Sequence, residues 1–136
     1  MLAIAPLAAL AALFFTVRAQ IPGNCDRTAT VQSGDTCDGI SAAQNVSTFQ
    51  LAHVNPGIDA GCDNLQPGEV LCLGTAGEDC STVHTVQSGD SCAAIADGAG
   101  IPVATLLHNN PNVDPACDNI GIGEVLCTTD VLINYT

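Results

Sequence analysis

Eight cysteines, fourteen carboxylates and three histidines are the residues of this 136-residue chain from which chemistry could be built. The cysteines carry the clearest pattern. Cys25, Cys37, Cys62 and Cys72 recur as Cys80, Cys92, Cys117 and Cys127, each displaced by 55 positions, with internal intervals of 12, 25 and 10. No Cys-x-x-Cys pair occurs, and those intervals do not resemble zinc-finger or zinc-ribbon spacing, so the cysteines read as disulfides and not as metal ligands. Each repeat is small enough that a hydrophobic core alone is marginal, the size at which covalent staples are expected. Two bridges inside each repeat is the simplest count. Four cysteines allow about three connectivities; we expect first with third and second with fourth, that is Cys25–Cys62, Cys37–Cys72, Cys80–Cys117 and Cys92–Cys127.

The carboxylates could in principle supply a glycosidase pair. Such a pair needs a separation near ~5 Å or of roughly 6.5–9.5 Å across a substrate-sized cleft, for which a repeat of this length has little room. No glycine-flanked serine elbow, Cys/His nucleophile pair or phosphate-binding loop is present. We therefore expect no enzyme, no catalytic residue and no cofactor. His53 and His108 occupy matching positions, but one histidine per repeat without a second ligand nearby gives no metal site. The acids do set the electrostatics. The formal net charge is −12, with no lysine and only two arginines, Arg18 and Arg27. Nucleic acid and anionic membrane surfaces are repelled by such a chain and are not expected as partners.

The elements that must position these residues are repeated too. "TVQSGD" stands at Thr30–Asp35 and again at Thr85–Asp90, and the 44 residues Thr30–Leu73 match Thr85–Thr128 without a gap at 21 positions. The offset therefore defines two structural units. The apolar residues 1–19 read as a cleaved secretory signal, which places the mature protein outside the cell. The remainder divides into an N-terminal segment 20–29 with Cys25, a first unit 30–74, a linker 75–84 with Cys80, a second unit 85–129 and a tail 130–136. Within each unit, Thr30–Gln32 starts as a strand and "SGD" supplies a turn. Asp35 or Thr36 then caps a helix whose inner face carries Cys37, Ile40 and Ser41, matched by Cys92, Ile95 and Ala96. A second helix runs from about Ser47 to Val54, with Pro102 as the counterpart of Ser47, and the prolines of Asn55-Pro56 and Asn110-Pro111 stop it. "GEVLC" gives the last strand, Leu71 alternating with Val70 and Cys72. The order strand, helix, helix, strand makes an α+β unit in which two helices cover a two-stranded ribbon. "GTAGED" at Gly74–Asp79 reads as a flexible linker, and the tail has no assigned element.

This ordered set, "TVQSGD-[T/S]-C", then an isoleucine, then "L…NP", then "G-x-x-L", resembles the LysM domain, twice, over nearly all of both repeats. With its added cysteine frame the chain looks like the secreted fungal LysM proteins, effectors among them. It departs from the family where Ala29 and His84 stand in place of a common aromatic before "TV", and where Asp38 and Ala93 stand in place of one in the first helix. The resemblance implies two disulfide-stapled βααβ modules that bind chitin or N-acetylglucosamine oligomers in a shallow groove between two loops. Carried over by position, the groove of the first module involves Gly34, Asp35 and Thr36 with Asn55, Pro56, Gly57, Ile58 and Asp59. That of the second involves Gly89, Asp90 and Ser91 with Asn110, Pro111, Asn112, Val113 and Asp114. One chitin chain could also bridge two copies of the protein.

Simpler roles compete for several of these positions. Asp59 and Asp114 suit loop hydrogen bonds better than sugar contacts. Asp63-Asn64 and Asp118-Asn119 read as turn material, and Glu69 and Glu124 as solvated residues at the start of the last strand. Asn45-Val46-Ser47 and Asn134-Tyr135-Thr136 match the N-glycan acceptor pattern. The function class opposed to a lectin is a wall-associated structural or adhesion protein without a glycan site, and a glycan hydrolase ranks behind both.

Overall fold

The computed structural model describes residues 21–136; the segment read as a signal, residues 1–19, lies outside the described residues. The first module consists of β1 (Cys25–Thr30), α1 (Cys37–Gln44), α2 (Thr48–Val54) and β2 (Val70–Thr75). The second consists of β3 (Val83–Thr85), α3 (Cys92–Ala99), α4 (Val103–Asn109) and β4 (Val125–Cys127). Each module is therefore the expected βααβ unit with a two-stranded antiparallel ribbon.

The first strand lies earlier than "TVQ" suggested. β1 pairs with β2 from Cys25 opposite Thr75 to Thr30 opposite Val70. It stops there because the next residues close a turn: Asp35 N–H donates to the Gln32 carbonyl (3.1 Å) and Gln32 N–H to the Asp35 carboxylate (2.8 Å). With Asp35 committed to the turn, Thr36 is the cap of α1, its hydroxyl accepting from Gly39 N–H at 3.0 Å. Ser47 caps α2 in the same way, whereas Pro102 starts α4 without a side-chain cap. Helices of seven or eight residues are not stable by themselves, so packing must supply what propensity cannot. The first core joins Val31, Ile40, Val46, Leu51, Leu71 and Leu73, and the second Val86, Ile95, Ile101, Leu106, Val113 and Leu126 with their neighbours.

The disulfides pair within modules, but first with fourth and second with third: Cys25–Cys72, Cys37–Cys62, Cys80–Cys127 and Cys92–Cys117. The fold brings Cys25, at the start of β1, within 6.0 Å (Cα–Cα) of Cys72 in β2, and Cys80, just before β3, within 6.1 Å of Cys127 in β4, so the chain ends of each module are stapled and the expected connectivity fails. Leu71 and Leu73 fall on the core face as the alternation requires, and Cys72, on the opposite face, is buried where it bridges to Cys25.

The connector is held by hydrogen bonds along its length. Gly74 and Thr75 complete β2, and Asp79 receives two hydrogen bonds of 2.7 Å from the Arg27 guanidinium. Burial alone would raise the Asp79 carboxyl, but the hydrogen bonds from Arg27 and Gln50 outweigh it and hold its pKa below the ordinary value. Gln50 is fully buried and uses its whole carboxamide: Nε2 donates to the Leu73 carbonyl (2.7 Å) and Asp79 (3.0 Å), and Oε1 accepts from Cys80 N–H and the Tyr135 hydroxyl (2.9 Å each). The tail, without an element in the sequence, closes this seam. Ile133 packs on Cys80 and Cys127, and Tyr135 lies edge-on to Phe49 and His53. Burial pushes the Tyr135 hydroxyl up to about 12, so it stays a neutral donor to Gln50.

Two stability measurements follow from these contacts. Gln50→Ala strands the Cys80 amide and the Leu73 carbonyl in the seam, and chemical denaturation should show a loss of at least ~2 kcal/mol. Ser41→Ala should instead be neutral or stabilising by up to ~1 kcal/mol. Ser41 Oγ is buried without a hydrogen-bond partner among the described residues, and the second module carries Ala96 there.

Candidate functional site

The two loops implicated by sequence come to one end of each module. In the first module one wall is the turn Gln32–Asp35 and its continuation into Thr36. Gly34 sits at φ +87°, a conformation that an L side chain rarely adopts. Val31 anchors the turn to the approach of β2, its N–H donating to Glu69 O and its carbonyl accepting from Gly68 N–H, both at 2.8 Å. The other wall is the loop after α2, where Pro56, Gly57 and Asp59 are exposed and Ile58 is half-buried against the core cluster of Val31 and Ile40. The Cys37–Cys62 bridge ties the walls together, since Cys37 follows Thr36 and Cys62 closes the loop beyond Asp59, accepting no slack between them.

Asn55 and Asn110 do not belong to the open groove. Asn55 is 3 % exposed, and its side chain donates to the carbonyls of Leu51 (2.7 Å) and Cys72 (2.6 Å) and accepts from Cys72 N–H (2.9 Å). Asn110 repeats all three bonds with Leu106 and Cys127. Both asparagines fasten the end of the second helix to the last strand, a role the "NP" pair could not reveal. Asn64 and Asn119, read as turn material, turn out to brace the second wall. Asn64 accepts from Asp59 N–H (3.0 Å) and donates to Gly57 O (2.8 Å), and Asn119 does the same for Asp114 and Asn112 (2.9 Å each). Asp59 and Asp114 accept from the amides of Asp63 (2.7 Å) and Asp118 (3.1 Å), so their carboxylates serve the loop, as the simpler reading had it.

The second groove is built from matching residues but is more closed. Gly89 has φ +85° and Ser91 caps α3 through Ala94 N–H. Pro111 is exposed, whereas Val113 is only 7 % exposed, less accessible than Ile58. Asn112, where the first module has Gly57, donates to Glu124 at 2.7 Å. His84, where the first module has Ala29, lies 2.7 Å from the Asp90 carboxylate. That hydrogen bond, with one from Gln87 N–H, holds the Asp90 carboxyl below its ordinary value. At the loop tip Asp114 is held low by its hydrogen bonds from Asp118, whose own carboxyl is raised by the same contact.

A two-stranded ribbon covered by two short helices, with two braced loops flanking an open groove and the unit used twice, defines a small tandem binding module. The LysM domain model matches residues 29–74 and 84–129, and the chain belongs to the LysM family of carbohydrate-binding modules. It is 30 % identical over 127 residues to the secreted LysM effector LysM1 of Trichophyton rubrum, covering 76 % of this chain and 50 % of that protein. With the secreted LysM effector Vd5LysM of Verticillium dahliae it shares 40 % identity over 107 residues, 76 % of this chain and 15 % of the other. The non-secreted LysM effector LysM19 of Penicillium expansum is 31 % identical over 105 residues, 74 % of this chain and 8 % of that one. The chain thus spans half or less of the length of these relatives. Among the described residues no helix is long and apolar enough to cross a membrane.

The two disulfide classes should separate experimentally. Removing the wall bridge with Cys37→Ala and Cys62→Ala should speed amide exchange across Gly57–Asp63 while leaving the β1–β2 ladder protected, and removing Cys25–Cys72 should reverse that pattern. The Asp90 pair has its own signature. A depressed folded-state pKa contributes stability above the ordinary carboxylate range, and that contribution is lost as pH falls through the depressed value. His84→Ala should therefore raise the Asp90 midpoint in an NMR titration toward the ordinary value.

Proposed function

We propose that each module binds N-acetylglucosamine oligomers, as in chitin, in the groove between its two loops, without cleaving them. The observation that carries this reading is the pattern of peptide groups left over once the loops are braced. In the described hydrogen bonds the Gly57 N–H and the Ile58 carbonyl take no part, although their neighbours Gly57 O and Asp59 N–H are both held by Asn64. An acetamido sugar presents one carbonyl, one N–H and a methyl group, which fit a free N–H, a free carbonyl and the half-buried Ile58 side chain. Gly34, Asp35 and Thr36 form the facing wall, with Gly89, Asp90 and Ser91 against Pro111, Asn112, Val113 and Asp114 in the second module. A shallow groove of this kind needs no aromatic platform but binds modestly, since most of each hydrogen bond replaces one to water.

The seam fixes the two grooves relative to each other, so simultaneous occupation depends on the polymer and not on a swinging linker. One chitin chain could also span two protein molecules and give a ligand-bridged assembly. The effector names of the relatives support a role for a secreted protein in sequestering chitin fragments from host receptors or shielding a fungal wall. Asn45, exposed at the left-handed end of α1, and exposed Asn134 are the proposed glycan acceptors.

Calorimetry with a graded series of acetylated and deacetylated oligomers tests the reading. Acetylated oligomers should bind with little salt dependence, and attraction of deacetylated ones to the acidic chain should fade as salt screens it. Gly57→Trp, at a position where an added Cβ meets nothing within 4 Å, should fill the first groove and weaken short-oligomer binding there by ~tenfold or more, about 1.4 kcal/mol. Tighter binding of the deacetylated series at physiological salt would overturn the proposal, and failure to bind either series would favour the structural or adhesion role.

A further inference from the structure

We infer that a hollow on the second module, between β3 and α3, is a seat for an arginine side chain supplied by a partner protein. The hollow has a volume of about 320 Å³ and is lined by His84, Asp90, Gly98, Ala99 and Thr128 among others. It is distinct from the loop groove, although Asp90 borders both.

The first module shows what such a seat holds. There the Arg27 guanidinium lies on the end of α1, donating to the carbonyls of Gln44 (2.7 Å) and Asn45 (3.2 Å) while pairing with Asp79. A cation at the negative end of a helix dipole is favourable, and the exposed last carbonyls gain a donor. By the offset of 55, Gln44 and Asn45 correspond to Ala99 and Gly100, and Arg27 corresponds to Thr82. The backbone is placed alike at the two positions: the Cys25 Sγ lies 3.1 Å from Arg27 O, and the Cys80 Sγ lies 3.3 Å from Thr82 O. The threonine cannot reach the helix end. Ala99 O and Gly100 O accept no hydrogen bond among those described, and Ala99 lines the hollow.

The rest of the wall suits the same occupant. Ala94 and Gly98 lie one helical turn apart and give a shallow track without bulky side chains for an aliphatic stem. At the far end, Asp90 Oδ2 is taken by His84 and Gln87 N–H, while Oδ1 accepts no bond among those described and supplies negative charge. Among the described residues no long cationic side chain is left to fill the seat: there is no lysine, and Arg27 is engaged with Asp79. The net charge of −12 draws a basic segment toward this surface.

The test is an NMR titration of the whole chain with N-acetyl-arginine amide, set against N-acetyl-citrulline amide as a neutral isostere. Saturable shifts confined to Ala94, Gly98, Ala99, Gly100 and Thr128 are expected, with citrulline at least ~tenfold weaker, equivalent to about 1.4 kcal/mol. Thr82→Arg should fill the seat from within and weaken the arginine probe by a similar factor. Gly98→Leu, where an added Cβ meets nothing within 4 Å, should do so without altering charge, and it covers the case in which Thr82→Arg fails to fold. Shifts scattered over the acidic surface without saturation, equal binding of citrulline, or unchanged binding to a folded filled variant would each overturn the inference.

Discussion

One buried carboxamide fixes how the two modules meet. Gln50 belongs to α2 of the first module, yet its four hydrogen bonds reach β2, the connector at Asp79 and Cys80, and the tail at Tyr135. A buried amide with every donor and acceptor satisfied costs little to keep and much to disturb, because removing it strands several partners at once. Through Asp79 the same network takes in Arg27 and thereby the end of α1. The result is a pair of modules whose relative orientation is set by hydrogen bonds and not left to the connector's length. Any ligand that engages both grooves must match that orientation.

Within each module a second constraint separates stability from recognition. Cys25–Cys72 and Cys80–Cys127 staple the ribbons, while Cys37–Cys62 and Cys92–Cys117 staple the loop walls. The loops are then braced further by Asn64 and Asn119, so their exposed peptide groups are held in place before any ligand arrives. Rigid loops lose little entropy on binding, which is how a shallow polar groove can retain useful affinity.

The repeat and the βααβ order were legible because they rest on local signals: the "SGD" turn, the cap positions Thr36 and Ser47, and the proline that ends each second helix. Resemblance to LysM named the two loops, and the Cys37–Cys62 bridge sets them side by side. What escaped depends on pairing across the chain. Placing the first strand at Thr30 left Cys25 outside the ribbon, and the sequence alone did not choose among the disulfide connectivities. Asn55 looked like a loop residue because its partners, Leu51 and Cys72, are brought to it only by the packed strand. Gln50 and Tyr135 carried no signal at all, since each is an ordinary polar or aromatic residue until the other is folded against it.

Comparing the repeats at the seam shows which joining residues the first module has and the second lacks. The first module offers Thr48, whose hydroxyl accepts the Val125 N–H of the second at 2.9 Å. Continued head to tail, the same contact would need the counterpart of Thr48 on the second module and the counterpart of Val125 on the next, a heterologous interface that does not close on itself. The counterpart of Thr48 is Val103, which has no hydroxyl, and the counterpart of Val125 is Val70; both remain exposed, at 38 % and 40 %. Gln50 likewise becomes Thr105, and Asp79 becomes Asn134, so the amide and the carboxylate that fasten the connector are missing from the second module. The second unit holds the tail instead, with Asn109 donating to the carbonyls of Thr129 and Val131 and accepting from Ile133 N–H. The differences between two otherwise similar sequences fall at the residues that join the modules and hold the tail.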